Sequence, residues 1–191
     1  MAKPIVVTEL LSLEEYEKVR LDMRKRVVAL KKVRRVPVGN RISFVFESRD
    51  TVFFQLHETM RAEGITDKAA LQAECDVYNA MLPNSSVLSA CLVIDLPEGI
   101  NVRHELQRLA GMEKRIALVV GPEAIPAVLE PVSGTEGIAP NQHVRFPLSP
   151  TAQKGFAEPT TPVLLQIDHP SYDARTPIEG ETRRSLIEDL S

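Results

Sequence analysis

The chain has no tryptophan, and aromatic residues make up only 5% of its 191 positions. Its core must therefore be built mainly from Val, Leu, Ile and Ala. Cysteine is nearly absent too. Cys75 and Cys91 are the two, in apolar surroundings and 16 residues apart. That spacing is neither a disulfide framework nor a C-x-x-C motif, so both read as buried small hydrophobes carrying free thiols. No window approaches the ~20 consecutive apolar residues of a membrane span. The N-terminal MAKPIVV lacks the longer apolar run of a signal peptide. A cytoplasmic protein without membrane contact is the expectation. G-x-S-x-G, the P-loop and G-x-G-x-x-G are all missing, so no cofactor is expected and no catalytic residue is assigned.

What is present is an ordinary globular composition, 43% hydrophobic and 26% charged, in a chain long enough for one domain with a real core. The net charge of -3 hides an asymmetry. Residues 1–42 hold 11 Lys/Arg and 5 Asp/Glu, and the remaining residues hold 12 and 21. A basic arm thus joins an acidic body, which either neutralise each other within the fold or offer a docking face to an acidic partner.

The densest stretch is Ile42–Glu63. Ile42, Phe44 and Phe46 alternate as on a strand. Ser48–Asp50 supplies cap residues, and a helix follows from near Thr51, with Phe53, Leu56 and Met60 as its apolar stripe. His57 and Arg61 lie on another face with Phe54 and Glu58 beside them. Before this, Leu13–Arg35 reads as one long helix, with a Ser12/Glu15 capping box and a stripe of Tyr16, Val19, Met23, Val27 and Leu30. At ~100° per residue, Arg20, Arg24, Lys31 and Arg35 form a basic ridge within about 60° beside that stripe. After Gly64, a second helix capped by Thr66 or Asp67 runs to about Met81 and forms a helix hairpin with the first.

From Val87 the period becomes two. Strands are predicted over 87–96, 115–120, 143–148 and 163–169, with a short helix after Asn101, a hairpin excursion around 127–130, a connection over 149–162 and a closing helix over 177–190. The order argues for one α+β domain over 1–191. It divides into a basic helical arm (1–40), a strand with a helix hairpin (41–86) and a strand-rich body with a C-terminal helix (87–191). The sheet is expected to be mixed or mostly antiparallel, of about five strands, with the N-terminal helices on one face.

The ionisable residues fall into three groups. Arg34, Arg35, Glu47, Arg49, Gln55, Glu58, Arg61, Glu63, His169 and Tyr172 form a polar cluster, in which Glu47 or Glu58 is expected to pair with Arg61, Arg49 or the Arg34–Arg35 pair. Arg20, Arg24, Lys31 and Arg35 form the ridge, expected to stay partly exposed. His57, Glu58, Glu63 and Glu74 are a set that a helix hairpin could bring together on a metal. HETMR and HELQR place Arg61 and Arg108 where a zinc protease needs its second histidine, so no metal is assigned. The run Lys31-Lys32-Val33-Arg34-Arg35 resembles a phosphate-binding patch but lacks interleaved aromatics, so nucleic acid is not expected.

LKKVRRVPVG (30–39), FESRDTVFFQLHETMRAEG (46–64), VYNAMLPNSSVLSACLVID (77–95) and IDHPSYDARTPI (167–178) together resemble an uncharacterised bacterial domain-of-unknown-function family. The resemblance covers most of the chain. This sequence departs from the family's pattern at Thr59, which follows Glu58 where a Met is common, and at His57, where relatives often carry Gln. The family's genes often neighbour those of rubrerythrin-like proteins and iron–sulfur oxidoreductases. The resemblance therefore implies a redox-associated accessory protein, with such an oxidoreductase or a second copy of the chain as partner. It implies no activity. The alternatives are an enzyme or ligand binder with a charged cleft around Arg49, Glu58, Arg61 and His169, and a metal-binding protein.

Overall fold

The computed structural model describes residues 3–131 and 137–190. Its first long helix, α1, spans Leu13–Val33, started by the Ser12/Glu15 capping box. It stops two residues short of the expected Arg35. From there Val36 and Val38 point alternately into the core, and Pro37 has no N–H to continue a helix, so the segment becomes strand β1, Arg35–Val38. A tight turn at Gly39 leads into β2, Ile42–Phe46. Gly39 has φ of 71°, and a Cβ there would lie 2.5 Å from the Tyr172 hydroxyl, so both backbone conformation and space require glycine.

Ser48 caps α2, Arg49–Glu63, and Gly64 closes it at φ of 67°. Asp67 caps α3, Lys68–Asn79, which packs on α2. Then come β3 (Val87–Ile94), α4 (Val102–Arg108) and β4 (Ile116–Val120). β5 (Glu123–Pro126), β6 (Val128–Leu129) and β7 (Asn141–Pro147) follow. α5 (Pro150–Ala157), β8 (Val163–His169), β9 (Tyr172–Pro177) and α6 (Gly180–Asp189) complete the order.

The fold is α+β. The expected antiparallel sheet of about five strands is joined by a second antiparallel sheet. One has five strands in the order β1-β2-β3-β7-β6 and the other four in the order β5-β4-β8-β9. Register sets their inner faces. Phe44 lies opposite Leu92 and Phe46 opposite Ala90, which in turn faces Val144. Their side chains merge with Leu118, Leu165 and Ile167 of the second sheet in one apolar cluster. Tyr172 ties the sheets' edges, donating its hydroxyl to Val38 O (2.7 Å) and accepting from Arg41 N–H (3.1 Å).

A second, separate cluster of Ile5, Val52, Leu56, Met60, Cys75 and Leu82 joins the N-terminal segment to α2 and α3. Asn79 fastens that segment by bonding both the N–H and the C=O of Ile5, at 2.7 and 2.9 Å. Among the described residues no helix is long and apolar enough to cross a membrane. The excursion expected around 127–130 is the short β6, paired to β7 at Val144 and Arg145. The part of it over 132–136 lies outside the described residues.

Candidate functional site

Arg34 occupies the centre of the charged region. It caps the end of α1, is 2% exposed, and has every arm of its guanidinium engaged. Nε donates to Phe46 O and Nη2 to Glu47 O, Nη1 binds the Ser185 carbonyl and hydroxyl, and Nη2 pairs with Asp189. Thus α1, the end of β2 and α6 meet on one side chain. Burial pushes the Asp189 carboxyl up, and the Arg34 charge opposes that shift.

Glu47 is 3% exposed, and among the described residues no arginine pairs with its carboxylate. Its carboxylate is held by the Thr51 hydroxyl and by Gln55 Nε2 at 3.0 Å from each oxygen. Thr51 and Gln55 are one and two turns into α2, so the helix returns its own side chains to the carboxylate that precedes it. Glu58 does find an arginine, but a different one from those expected. Arg20 grips it side-on at 2.7 and 2.8 Å, and the buried Tyr16 hydroxyl donates to it at 2.7 Å. The Arg20 hydrogen bond, chiefly, holds the Glu58 carboxyl down at about 2.

The other members disperse. Arg61 pairs with Glu17 of α1, and Arg49 with Glu9 and Lys3 O while lying over the Phe53 ring. Arg35 binds Ser43 Oγ, and Glu63 is exposed. Arg49 and Arg61 are twelve residues apart on one helix, about 18 Å at 1.5 Å per residue. His169 is on β8. Its Nδ1 accepts from Ser171 N–H, so Nε2 is the donor, to Ala110 O at 3.1 Å. Arg49, Glu58, Arg61 and His169 therefore make four separate sets of contacts.

His57, assigned by periodicity to a polar face, is 1% exposed. Its Nε2 accepts from Leu11 N–H at 3.1 Å, which leaves Nδ1–H to donate to Phe53 O at 2.9 Å. Its ring packs tilted against Phe53 and Tyr16, with centroids 4.4 and 4.9 Å away. Both nitrogens are committed, and burial holds the imidazole pKa low. Among the described residues no group of three His, Cys, Asp or Glu side chains has a metal-holding arrangement.

Several structurally important residues had escaped the sequence reading. Arg183 binds the carbonyls of Gly155, Phe156, Glu158 and Thr161, capping the C-terminal end of α5. It thereby lies spent inside a cleft of about 680 Å³ shared with Thr160, Glu179 and Arg184. Cys91 and His143 face each other across β3 and β7. Burial pushes the Cys91 thiol up and the His143 imidazole down, so both stay neutral, and Cys75 is likewise pushed up by burial. Both cysteines are free thiols.

The ridge is only partly as expected. Arg20 is consumed by Glu58, and Arg35 has left the helix for β1. Arg24 and Lys32 remain exposed and Lys31 half-buried. Arg24, Arg26, Lys31 and Lys32 form no ion pair among the described residues. Between Met23 and Val33 the helix has five basic residues and no acid. On the same side, Leu21 and Val28 are 64% and 48% exposed.

Comparison with known proteins adds a family and a structure. The family model described as a protein of unknown function (DUF3501) matches residues 4–190. A crystal structure of a novel protein of unknown function from Burkholderia pseudomallei K96243 is 32% identical to this chain. It covers 99% of this chain and 100% of its own, with a TM-score of 0.89. No curated protein matches.

Proposed function

The chain belongs to the DUF3501 family of unknown function, and from that premise we propose that it is a non-catalytic accessory protein that docks on an acidic protein partner through α1. The observation that carries the reading is the contrast between spent and unspent charge. Arg20, Arg34, Arg49, Arg61 and Arg183 are each used on carboxylates or carbonyls within the fold. The second half of α1 has an acid-free set of cations beside two exposed aliphatic side chains. Holding like charges together on one face costs free energy, and an opposite surface relieves it.

The partner class follows the family resemblance: an iron–sulfur or rubrerythrin-type redox protein in the cytoplasm. The chain would position or protect that partner and take no part in the electron transfer itself. Nucleic acid is the weaker reading for the same cations, because Arg34, in the middle of the basic run, is buried on Asp189. An enzyme with a charged cleft is weaker too, since Arg49, Glu58, Arg61 and His169 are engaged separately.

The test is affinity purification from native cells with wild type and Arg24→Glu/Lys32→Glu, with identification and iron analysis of what is retained. A single acidic iron protein retained by wild type and lost with the variant supports the reading. Equal retention by both proteins would remove α1 from it, and a retained partner without iron would remove the redox assignment.

A further inference from the structure

The exposed side of α1 has a pattern as well as a charge. Leu21 and Val28 are seven residues apart, which at 3.6 residues per turn puts them on one line, about 10.5 Å apart. Arg24 and Lys25 lie between them, and Lys31 and Lys32 follow in the next turn. Leu21 and Val28 fill one of the two seam positions of a heptad and cations (Arg24 and Lys31, or Lys25 and Lys32) the other, so this seam is half apolar and half cationic. Resting on the docking reading above, we infer that the occupant is an acidic amphipathic helix of the partner, laid along α1 from Leu21 to Lys32 with aliphatic residues over Leu21 and Val28 and carboxylates beside Arg24 and Lys32.

Charge complementarity selects this occupant over the others. A second copy of α1 would set Arg24, Lys25 and Lys32 against their own equivalents. Docking of this basic face on the acidic body of another copy is heterologous, and such contacts propagate into open chains unless the rotation closes. A membrane surface would meet only two aliphatic side chains and no aromatic on this face, a small apolar area for interfacial anchoring. Lys25 does not disturb the argument, because its pairing with Asp22 joins two side chains that are 79% and 80% exposed, and such a pair yields readily to a better one. The contact spans about three turns, so it falls in the weak, reversible class of interfaces and must be sensitive to salt.

The probe is a labelled 18-residue peptide with Leu at seam positions and Glu on the flanks. It is compared with a shuffled peptide of identical composition and with a version carrying Gln for Glu. Fluorescence anisotropy at low salt is expected to show the ordered acidic peptide binding at least tenfold more tightly than either control. Arg24→Glu/Lys32→Glu should lose at least tenfold, and Leu21→Ser/Val28→Ser roughly fivefold. All four side chains project outward, and the Gln peptide reads the same contact without altering the protein.

Equal binding of ordered and shuffled peptides, or indifference to both double substitutions, overturns the inference. So does binding by the chain to phosphatidylcholine–phosphatidylglycerol vesicles but not to the peptide, which would assign the face to lipid. Concentration-dependent growth in light scattering that Arg24→Glu/Lys32→Glu abolishes would assign it to a second copy. If the peptide fails but retention of the native partner still depends on Arg24 and Lys32, docking stands and only the helical occupant falls.

Discussion

Replacing Glu58 by Gln keeps the shape of the side chain and removes the charge that joins α1 to α2. The carboxyl is held at about 2 in the fold, against an ordinary value of 4.5, principally by the bidentate Arg20 contact. At 1.36 kcal/mol per unit this corresponds to about 3 kcal/mol before any allowance for solvent. The Glu58 side chain is 32% exposed, so water shares the charge, and about 1–2 kcal/mol is the expected loss at neutral pH. For a chain of this size that lowers the melting temperature by roughly 2–8 °C. The sign with pH is fixed. A carboxyl depressed in the fold contributes its full stabilisation above its unfolded value and loses it as pH falls toward its folded value. The stability gap between wild type and Glu58→Gln should therefore narrow by more than half between pH 7 and pH 3.5. Urea unfolding of both proteins at the two pH values measures it. A gap that does not change with pH would refute the claim that the ionised carboxylate holds the helices together. An absence of any gap at pH 7 would refute the contact itself.

His57 has an imidazole pKa lowered by burial, so the fold keeps it neutral and loses stability as pH falls below about 6.5, where the unfolded chain takes up the proton. Hydrogen exchange should show the Leu11 amide opening faster at pH 5.5 than mass-action effects on exchange chemistry allow, and His57→Phe should open it at every pH. Gly39→Ala should cost at least about 2 kcal/mol, combining the left-handed backbone with contact against Tyr172, and chemical denaturation would register it. Arg183→Ala frees four carbonyl partners at the end of α5. A loss of about 2–3 kcal/mol in thermal unfolding is expected. Thiol titration of unfolded, unreduced protein should find two reactive groups, Cys75 and Cys91.

Elements were legible where period and caps agreed. Ser48, Asp67 and Asn101 each accept the backbone hydrogen bond expected of a helix cap, and β2, β3, β7 and β8 follow alternation visible in the residues. β1 was hidden because Pro37 marks only the end of α1, and it is the tertiary burial of Val36 and Val38 that makes the residues around it a strand. β9 was hidden because Tyr172–Pro177 has no residue that is fully buried, so its alternation leaves no hydrophobic trace. α5 did leave a signal, a Ser149 cap followed by Pro150 at the first helical position. Pro147, Pro150, Pro159 and Pro162 nevertheless give the stretch the composition of a connection. The charged side chains were less legible than the elements. Arg20 to Glu58 and Arg34 to Asp189 join residues 38 and 155 positions apart, and composition could show that cations and anions were plentiful but not which ones meet. His57 shows the same limit in reverse. Its helical position suggested a polar face, yet the N-terminal segment folds over it and gives Nε2 a backbone donor.

The most direct measurement of the central claim is the affinity of the retained partner for purified protein at two ionic strengths. Wild type should be compared with Arg24→Glu/Lys32→Glu and with Arg103→Glu/Arg175→Glu, which makes the same change in net charge at exposed positions away from α1. Docking through α1 predicts that the first variant loses at least tenfold in affinity and most of the salt dependence, while the second keeps both. Equal losses in the two variants would mean that only net charge matters, and no loss in either would mean that the face of α1 is simply solvated.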